Sequence, residues 1–336
     1  MEDQAGQAET VDMEAQRRAV AAATMAPSVH NTQPWRFRLG PDTIDLFVDR
    51  ERTLHALDPT GRQLVLSCGS ALLFLRVALR SSGLDASVEL LPDADADHLA
   101  RVTVRPGSAP THEERALAGA IDERHMQRTP FEAKEVPSDV VRKLRLAVEE
   151  EQGWLQVVRR REDQLALISL LARADEMESH DEAYRAELRA WVRTDATTEG
   201  VPTAILPEPG ERHTEVVIRD FDPSRAAEEP PGADGPPKRI VDEHPLVVVL
   251  GTDSDALEDQ VRAGMALGRL LLQGTVEGLS ASPLGQVLDW PGPRTLLRQR
   301  LSLIGEPQLV LRVGYGDPKD PTRTTGRRPL DEVLLP

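Results

Sequence analysis

Between Ala26 and Phe37 the chain reads Ala-Pro-Ser-Val-His-Asn-Thr-Gln-Pro-Trp-Arg-Phe, which sets a hydroxyl (Ser28), an imidazole (His30) and two carboxamides (Asn31, Gln33) between two prolines. No helical or strand period accounts for that density of polar groups, so the segment reads as one that contacts a polar ligand. Pro27 ends a run of helix formers from Gln16 to Met25. Pro34 predicts extended geometry at Gln33, ahead of a strand that opens with Trp35 and Phe37. Taken without any relative in mind, the same residues are a proline-bounded turn with ordinary polar side chains.

The order of helix, polar turn and Pro-Trp-x-Phe strand resembles the nitroreductase superfamily, whose members carry an Ala-Pro-Ser-x-x-Asn-x-Gln-Pro-Trp segment beside the flavin of FMN. His30, Thr32 and a partner motif at Arg124–Phe131 make the chain more similar to the single-chain Acg-type FMN-binding oxidoreductases than to the short dimeric members. The resemblance is strongest over 15–85, 120–145 and 245–335 and weak over 195–240. It implies FMN as cofactor, with Pro27, Ser28, His30, Asn31 and Gln33 among its contacts. For His30 two roles stand level: a donor to the ring or substrate, and a structural histidine.

The resemblance extends to three further segments. Arg124-His125-Met126-Gln127-Arg128-Thr129-Pro130-Phe131 lies at the end of a predicted helix over 113–123 and resembles the family's Arg-x-Ser-x-Arg/Lys-x-Phe flavin segment. Arg124 and Arg128 would meet the phosphate or the N1/O2 edge of the ring. Met126 departs from the pattern, since a thioether cannot replace the hydrogen bond of Ser, and Gln127 is the candidate substitute. Arg327 and Arg328, after a predicted strand over 308–313, match the family's phosphate-holding pair; the plain alternative is a solvated basic tail. Ser282, Pro283, Leu284 and Gly285 resemble the loop whose main chain meets the ring edge. Guanidinium suits a phosphate dianion, and small residues admit a flat ring.

The elements that must carry these residues show an internal echo. Residues 69–87 and 264–282 are identical at 8 of 19 positions at an offset of 195, including Gly69/Gly264 and Gly83/Gly278. Each copy predicts a long buried helix closed by a Gly-Leu signal and preceded by a strand. Ile44–Val48 alternates apolar and charged residues as an edge strand would, and Leu246–Leu250 is a solid apolar run as an interior strand would be. Gly264 and Gly268 on one helical face predict close packing of a second helix. Leu165, Ile168, Leu171 and Leu188 mark an amphipathic helical region over 162–193. Together with the resemblance these features imply an α+β, nitroreductase-like fold of two fused halves, a pseudo-dimer, around a central antiparallel sheet with long interface helices. Residues 1–13 form a disordered tail on this reading, 14–110 the first half and 111–336 the second. The Pro/Gly-rich stretch 200–239 reads as loop, either lid or linker, and the resemblance implies a lid over the flavin.

Composition bounds the function. A formal charge of −16 on 336 residues disfavours nucleic acid or an anionic membrane as partner, and obliges any anionic ligand to find a local basic cluster. The single Cys68 excludes an intramolecular disulfide and reads as a small core residue; cytoplasm is the default compartment. No apolar run approaches the roughly 20 residues that span a bilayer. The eight histidines show no metal-binding spacing, so no metal is expected, and neither a Gly-x-Gly-x-x-Gly nor a Gly-x-Ser-x-Gly motif is present. The expected activity is hydride transfer from NAD(P)H through FMN to a quinone, nitro compound or similar acceptor, in a monomer or weak homodimer. The flavin would do the chemistry, and no acid, base or nucleophile is named. The alternative is an FMN-binding storage protein with little turnover.

Overall fold

A computed structural model gives the fold, and the structure describes residues 12–194, 197–203, 242–316 and 325–336. The N-terminal part comprises α1 (Met13–Ala23), β1 (Trp35–Leu39), β2 (Thr43–Val48), α2 (Arg62–Ser81), β3 (Leu84–Leu90), β4 (His98–Pro106) and α3 (His112–Glu123). There follow α4 (Ser138–Glu150), β5 (Trp154–Val157), α5 (Arg161–His180), α6 (Glu182–Trp191), β6 (Val192–Arg193) and β7 (Val201–Pro202). The chain continues through β8 (Leu246–Thr252), α7 (Leu257–Val276), β9 (Ser280–Pro283), α8 (Gln286–Asp289), α9 (Pro291–Arg300), β10 (Glu306–Gly314) and α10 (Leu330–Val333). The first helix starts inside the stretch expected to be a tail, because Asp12 caps it by accepting from the Glu14 N–H at 3.0 Å.

In place of one central sheet there are two four-stranded antiparallel sheets, ordered β1-β2-β4-β3 and β5-β8-β10-β9. The successions β2-α2-β3-β4 and β8-α7-β9-β10 occupy matching places in them. α2 packs on the first sheet and α7 on the second, and the two helices pack on each other. β8 is interior, as its apolar run predicts. β2, expected at an edge, is interior too, paired with β1 and β4. Its charged residue is used in a polar cluster: Asp45 accepts from Arg101 Nε at 2.7 Å and lies 3.1 Å from His98 Nε2, while Asp93 meets Nδ1 of the same ring at 2.8 Å. Alternation here reports a polar face, not an edge.

The α2–α7 contact is made backbone to backbone. A Cβ placed on Gly69 would stand 2.2 Å from the Val261 carbonyl oxygen, and one on Gly264 would stand 2.1 Å from that of Leu66. The contact is reciprocal in the 195-residue offset, since Gly69 and Gly264, and likewise Leu66 and Val261, are equivalent positions. Ser70 Oγ donates to the Gly264 carbonyl at 2.9 Å beside the crossing. Further along, the buried Glu151 carboxylate accepts from Arg76 of α2 at 2.6 Å and Arg269 of α7 at 2.8 Å. Both helices run 20 residues and end before Gly83 and Gly278, whose φ of 77° and 75° closes the last turn as the Gly-Leu signals predict.

By length and composition α2 could cross a membrane, which the sequence reading did not anticipate, but 83% of its apolar window is buried inside the protein, where it forms the core. The helical region over 162–193 is broken at Asp181, which caps α6 through the Tyr184 N–H at 3.0 Å. Leu171 and Leu188 are buried as predicted, whereas Leu165 is 51% exposed. Residues 1–11, and 204–239 of the expected lid, lie outside the described residues.

The crossing makes a direct prediction. Gly264→Ala should lower stability by about 1–3 kcal/mol or more, because the methyl meets backbone that cannot rotate away. Gly119→Ala in α3, where nothing lies within 4 Å, should be neutral or stabilising. Urea midpoints of the two variants check both.

Candidate functional site

A cleft opens where the N-terminal and C-terminal parts meet. Its walls come from the turn after α1 (Pro27, Ser28, His30, Asn31), the start of α2 (Gln63, Leu66, Ser67) and the segment after α3 (Arg124, Met126, Gln127, Arg128). Ser282, Pro283 and Gly285 line it from the end of β9, Leu309 and Leu311 from β10, and Thr325 and Arg327 from the C-terminal segment. Six stretches of the chain thus converge.

The turn after α1 is bent more sharply than its prolines predict. His30, Asn31 and Gln33 all have positive φ, at 46°, 55° and 49°. Gln33 is therefore left-handed rather than extended, against the bias of a residue before proline. Such conformations each cost on the order of 1–3 kcal/mol and persist only when surroundings impose them. Here Ser28 Oγ accepts the Gln33 N–H at 2.9 Å, Ser67 Oγ accepts the Val29 N–H at 3.2 Å, and Arg52 Nη1 donates to the Thr32 carbonyl at 2.8 Å. The Arg328 N–H donates to Gln33 Oε1 at 2.9 Å and its Nη1 to the Gln33 carbonyl at 3.4 Å. Cys68, whose thiol is pushed up by burial, donates to the Pro34 carbonyl at 3.2 Å.

One end of the cleft is a pole of positive charge. Arg124 donates through Nη2 to the Met25 carbonyl at 3.3 Å, and Arg327 through its own Nη2 to the same oxygen at 3.1 Å. That carbonyl lies just past the C-terminal end of α1, the negative end of its dipole. Arg327 Nη1 also donates to Thr325 Oγ1 at 2.7 Å. The buried Nε and Nη1 of Arg124 and the buried Nε of Arg327 have no hydrogen-bond partner, and among the described residues neither arginine pairs with a carboxylate. Burial, with Arg327 and Arg128 nearby, pushes Arg124 down to about 9, and burial pushes Arg327 down to about 10. A guanidinium that is desolvated and uncompensated is arranged for an anion that arrives from outside.

The segment that bears Arg124 is laid along the edge of β9. Met126 bridges Ala281 in parallel, the Gln127 N–H donates to the Ala281 carbonyl at 2.7 Å, and Ser280 Oγ lies 3.1 Å from His125 Nε2. Two motifs read separately in the sequence are thereby one structural unit. The carboxamide nitrogen of Gln127 is engaged, as Nε2 donates to Thr129 Oγ1 at 2.5 Å.

No family model matches the chain. It is 34% identical over 325 residues to an uncharacterized protein of Mycobacterium tuberculosis H37Rv, Rv3127, covering 95% of this chain and 92% of the relative. It is 32% identical over 320 residues to the putative NAD(P)H nitroreductase acg of the same organism, covering 94% of each. The chain belongs to the Acg-type nitroreductase family. Among solved structures, the FMN-dependent nitroreductase NfnB of Mycobacterium smegmatis in complex with NADPH aligns with 65% of this chain and 96% of its own at 17% identity, with a TM-score of 0.37.

Within this Acg-type chain the expected contact residues divide. Pro27, Ser28, His30, Asn31, Arg124, Met126, Gln127, Arg128, Ser282, Pro283, Gly285 and Arg327 line the cleft. Gln33, Leu284 and Arg328 stand behind its wall. Leu284 is fully buried in the core under α8 and α9, with its N–H on the Val310 carbonyl at 2.8 Å. Arg328 turns inward to Gln33 and to the Glu332 carbonyl at 3.1 Å, and so braces the turn rather than the cleft. The sequence reading missed Gln63 and Ser67. Their one available signal was a polar pair four apart near the start of a predominantly apolar helix.

Since the folded value of Arg124 lies below its unfolded one, the unfolded chain holds that proton more tightly. The charged side chain therefore opposes folding at neutral pH, and its cost fades only as pH rises above about 9. Arg124→Met should leave the ligand-free protein as stable or more stable, by about 1–4 kcal/mol. Phosphate should raise the melting temperature of the parent and leave that of the variant unchanged. Thermal melts with and without phosphate at pH 7 check both.

Proposed function

We propose that the cleft binds FMN, with Arg124, Arg128 and Arg327 around its phosphate, and that the chain is a cytoplasmic FMN-dependent oxidoreductase. It would pass reducing equivalents from NAD(P)H to a quinone, nitro compound or similar acceptor. The observation that carries this reading is the pair of buried guanidiniums at one end of the cleft, with open donors and no carboxylate partner among the described residues. Charge-assisted hydrogen bonds of about 1.5–3 kcal/mol each would supply, from two or three of them, much of the ~8 kcal/mol of micromolar binding. When bound, the flavin supplies the hydride chemistry.

The chain's own residues would bind, orient and exclude water. Leu66, Leu267, Leu309 and Leu311 offer an apolar surface that suits a ring, and Pro283, paired with Leu311, and Gly285 add no long side chain to the lining. His30 stands at the cleft, 7% exposed, as a candidate ring or substrate contact. Met126 and the engaged amide nitrogen of Gln127 leave the ribityl hydroxyls with few side-chain donors from that segment. This favours the second reading, an FMN-storage protein with slow turnover.

We also propose that the two parts are fused nitroreductase-like halves that share one site, so that a monomer suffices. The matched strand orders and the reciprocal contact of Gly69 and Gly264 support this. The proposed division remains 14–110 and 111–336.

Anaerobic NADPH added to the yellow holoprotein separates the two readings: bleaching of the flavin band marks the oxidoreductase, and an unchanged oxidised spectrum marks storage. Arg124→Met combined with Arg327→Met should purify without flavin, by the ratio of visible to protein absorbance. A full complement of flavin in that variant would refute the phosphate assignment.

A further inference from the structure

Asn31 was expected to contact the cofactor, yet its side chain is already occupied. Nδ2 donates to the Gly200 carbonyl at 3.1 Å and to the Gly326 carbonyl at 3.2 Å, and Oδ1 accepts from Arg327 Nη1 at 3.4 Å. A carboxamide nitrogen has two hydrogens, so neither is left for a ligand. The two carbonyls also fix which end of the amide is nitrogen. Asn31 further accepts the Gly200 N–H on its own carbonyl at 3.4 Å, which makes its contact with that residue two-sided.

Gly200 leads directly into Val201, which is 1% exposed and lines the cleft. The approach to it is fastened by the same turn, since Gln33 Nε2 donates to the Thr198 carbonyl at 2.7 Å and Arg52 Nη1 to Glu199 Oε2 at 2.7 Å. On the other side, Gly326 lies against Thr197 so closely that a Cβ there would meet its carbonyl. The C-terminal segment, the turn after α1 and residues 197–201 therefore form one hydrogen-bonded assembly, which the side chains of both Asn31 and Gln33 span; of the two, Asn31 meets the Arg327 guanidinium.

We infer that Asn31 is a positioning residue that couples Arg327 at the anion pole to the Gly200–Val201 wall of the cleft, so that anion binding steadies that wall. The inference rests on the anion reading of the cleft. An anion that takes up the open donor of Arg327 restrains its guanidinium, and with it Asn31 Oδ1. Restraining the amide holds both carbonyls that its nitrogen faces. Asn31 thereby acts on ligand retention through the protein, without touching the ligand.

Hydrogen–deuterium exchange of the peptide spanning 197–203, read in the full chain with and without inorganic phosphate, tests this. Phosphate should slow exchange there by about fivefold or more in the parent. Asn31→Asp, which preserves shape but turns an acceptor toward both carbonyls, and Asn31→Ala should abolish the slowing. By reciprocity, phosphate affinity should fall in the Ala variant by no more than about that same fivefold factor. Phosphate binding to the parent without slowed exchange overturns the coupling alone. So does slowing that persists in both variants, or a loss of affinity beyond about tenfold in the Ala variant with the slowing retained. Absence of any phosphate binding to the parent overturns the anion reading and the coupling together. The parent measurement decides the coupling even if neither variant folds.

Discussion

The close approach of α2 and α7 at Gly69 and Gly264 governs the rest of the molecule. Backbone contact at that crossing admits no side chain on either helix, which sets the separation of the two sheets that ride on them. The same helices supply walls of the cleft, Leu66 and Ser67 from one and Leu267 from the other. A widening of the crossing by one methyl group would therefore be felt in the core and in the site at once, since packed interiors transmit strain rather than absorb it.

Around the cleft the protein carries two local costs that its fold offsets elsewhere. One is a set of desolvated guanidiniums, held by the Met25 carbonyl near the end of α1 in place of carboxylates. The other is a turn with three non-glycine residues at positive φ. Each persists because contacts from remote parts of the chain over-determine it. In a protein of formal charge −16 the arginine pole is also a local reversal of sign, which the proposed anion site would need against the overall field. Strain and buried charge around one cleft are what a binding site shows when the protein alone does not complete it.

Legibility in the sequence followed the range of the interactions. The helices with their Gly-Leu ends, the interior strand at 246–250 and the family were readable because each depends on local pattern or on a contiguous motif. The position of Ile44–Val48 within its sheet was not, because the alternation produced by Asp45 and its partners His98 and Arg101 is the same pattern an edge would show. In place of the single central sheet that the resemblance implies there are two four-stranded ones, since strand partners are chosen by tertiary packing.

What the sequence by itself determined is the chemistry on offer: arginines four apart at 124 and 128, a second pair at 327 and 328, and a carboxamide-rich turn between prolines. Which of those groups face the cleft was decided only by the tertiary structure. Neighbours along non-helical chain project to different sides, so Arg327 meets the cleft and Arg328 braces Gln33, while Pro283 and Gly285 face in and Leu284 faces the core. The left-handed geometry at Gln33 belongs to the same class, because hydrogen bonds from Ser28 and Arg328 outweigh the local preference that Pro34 imposes. Residue type is a local property. The direction in which a side chain points, and whether its donors are already used, is set by everything packed around it.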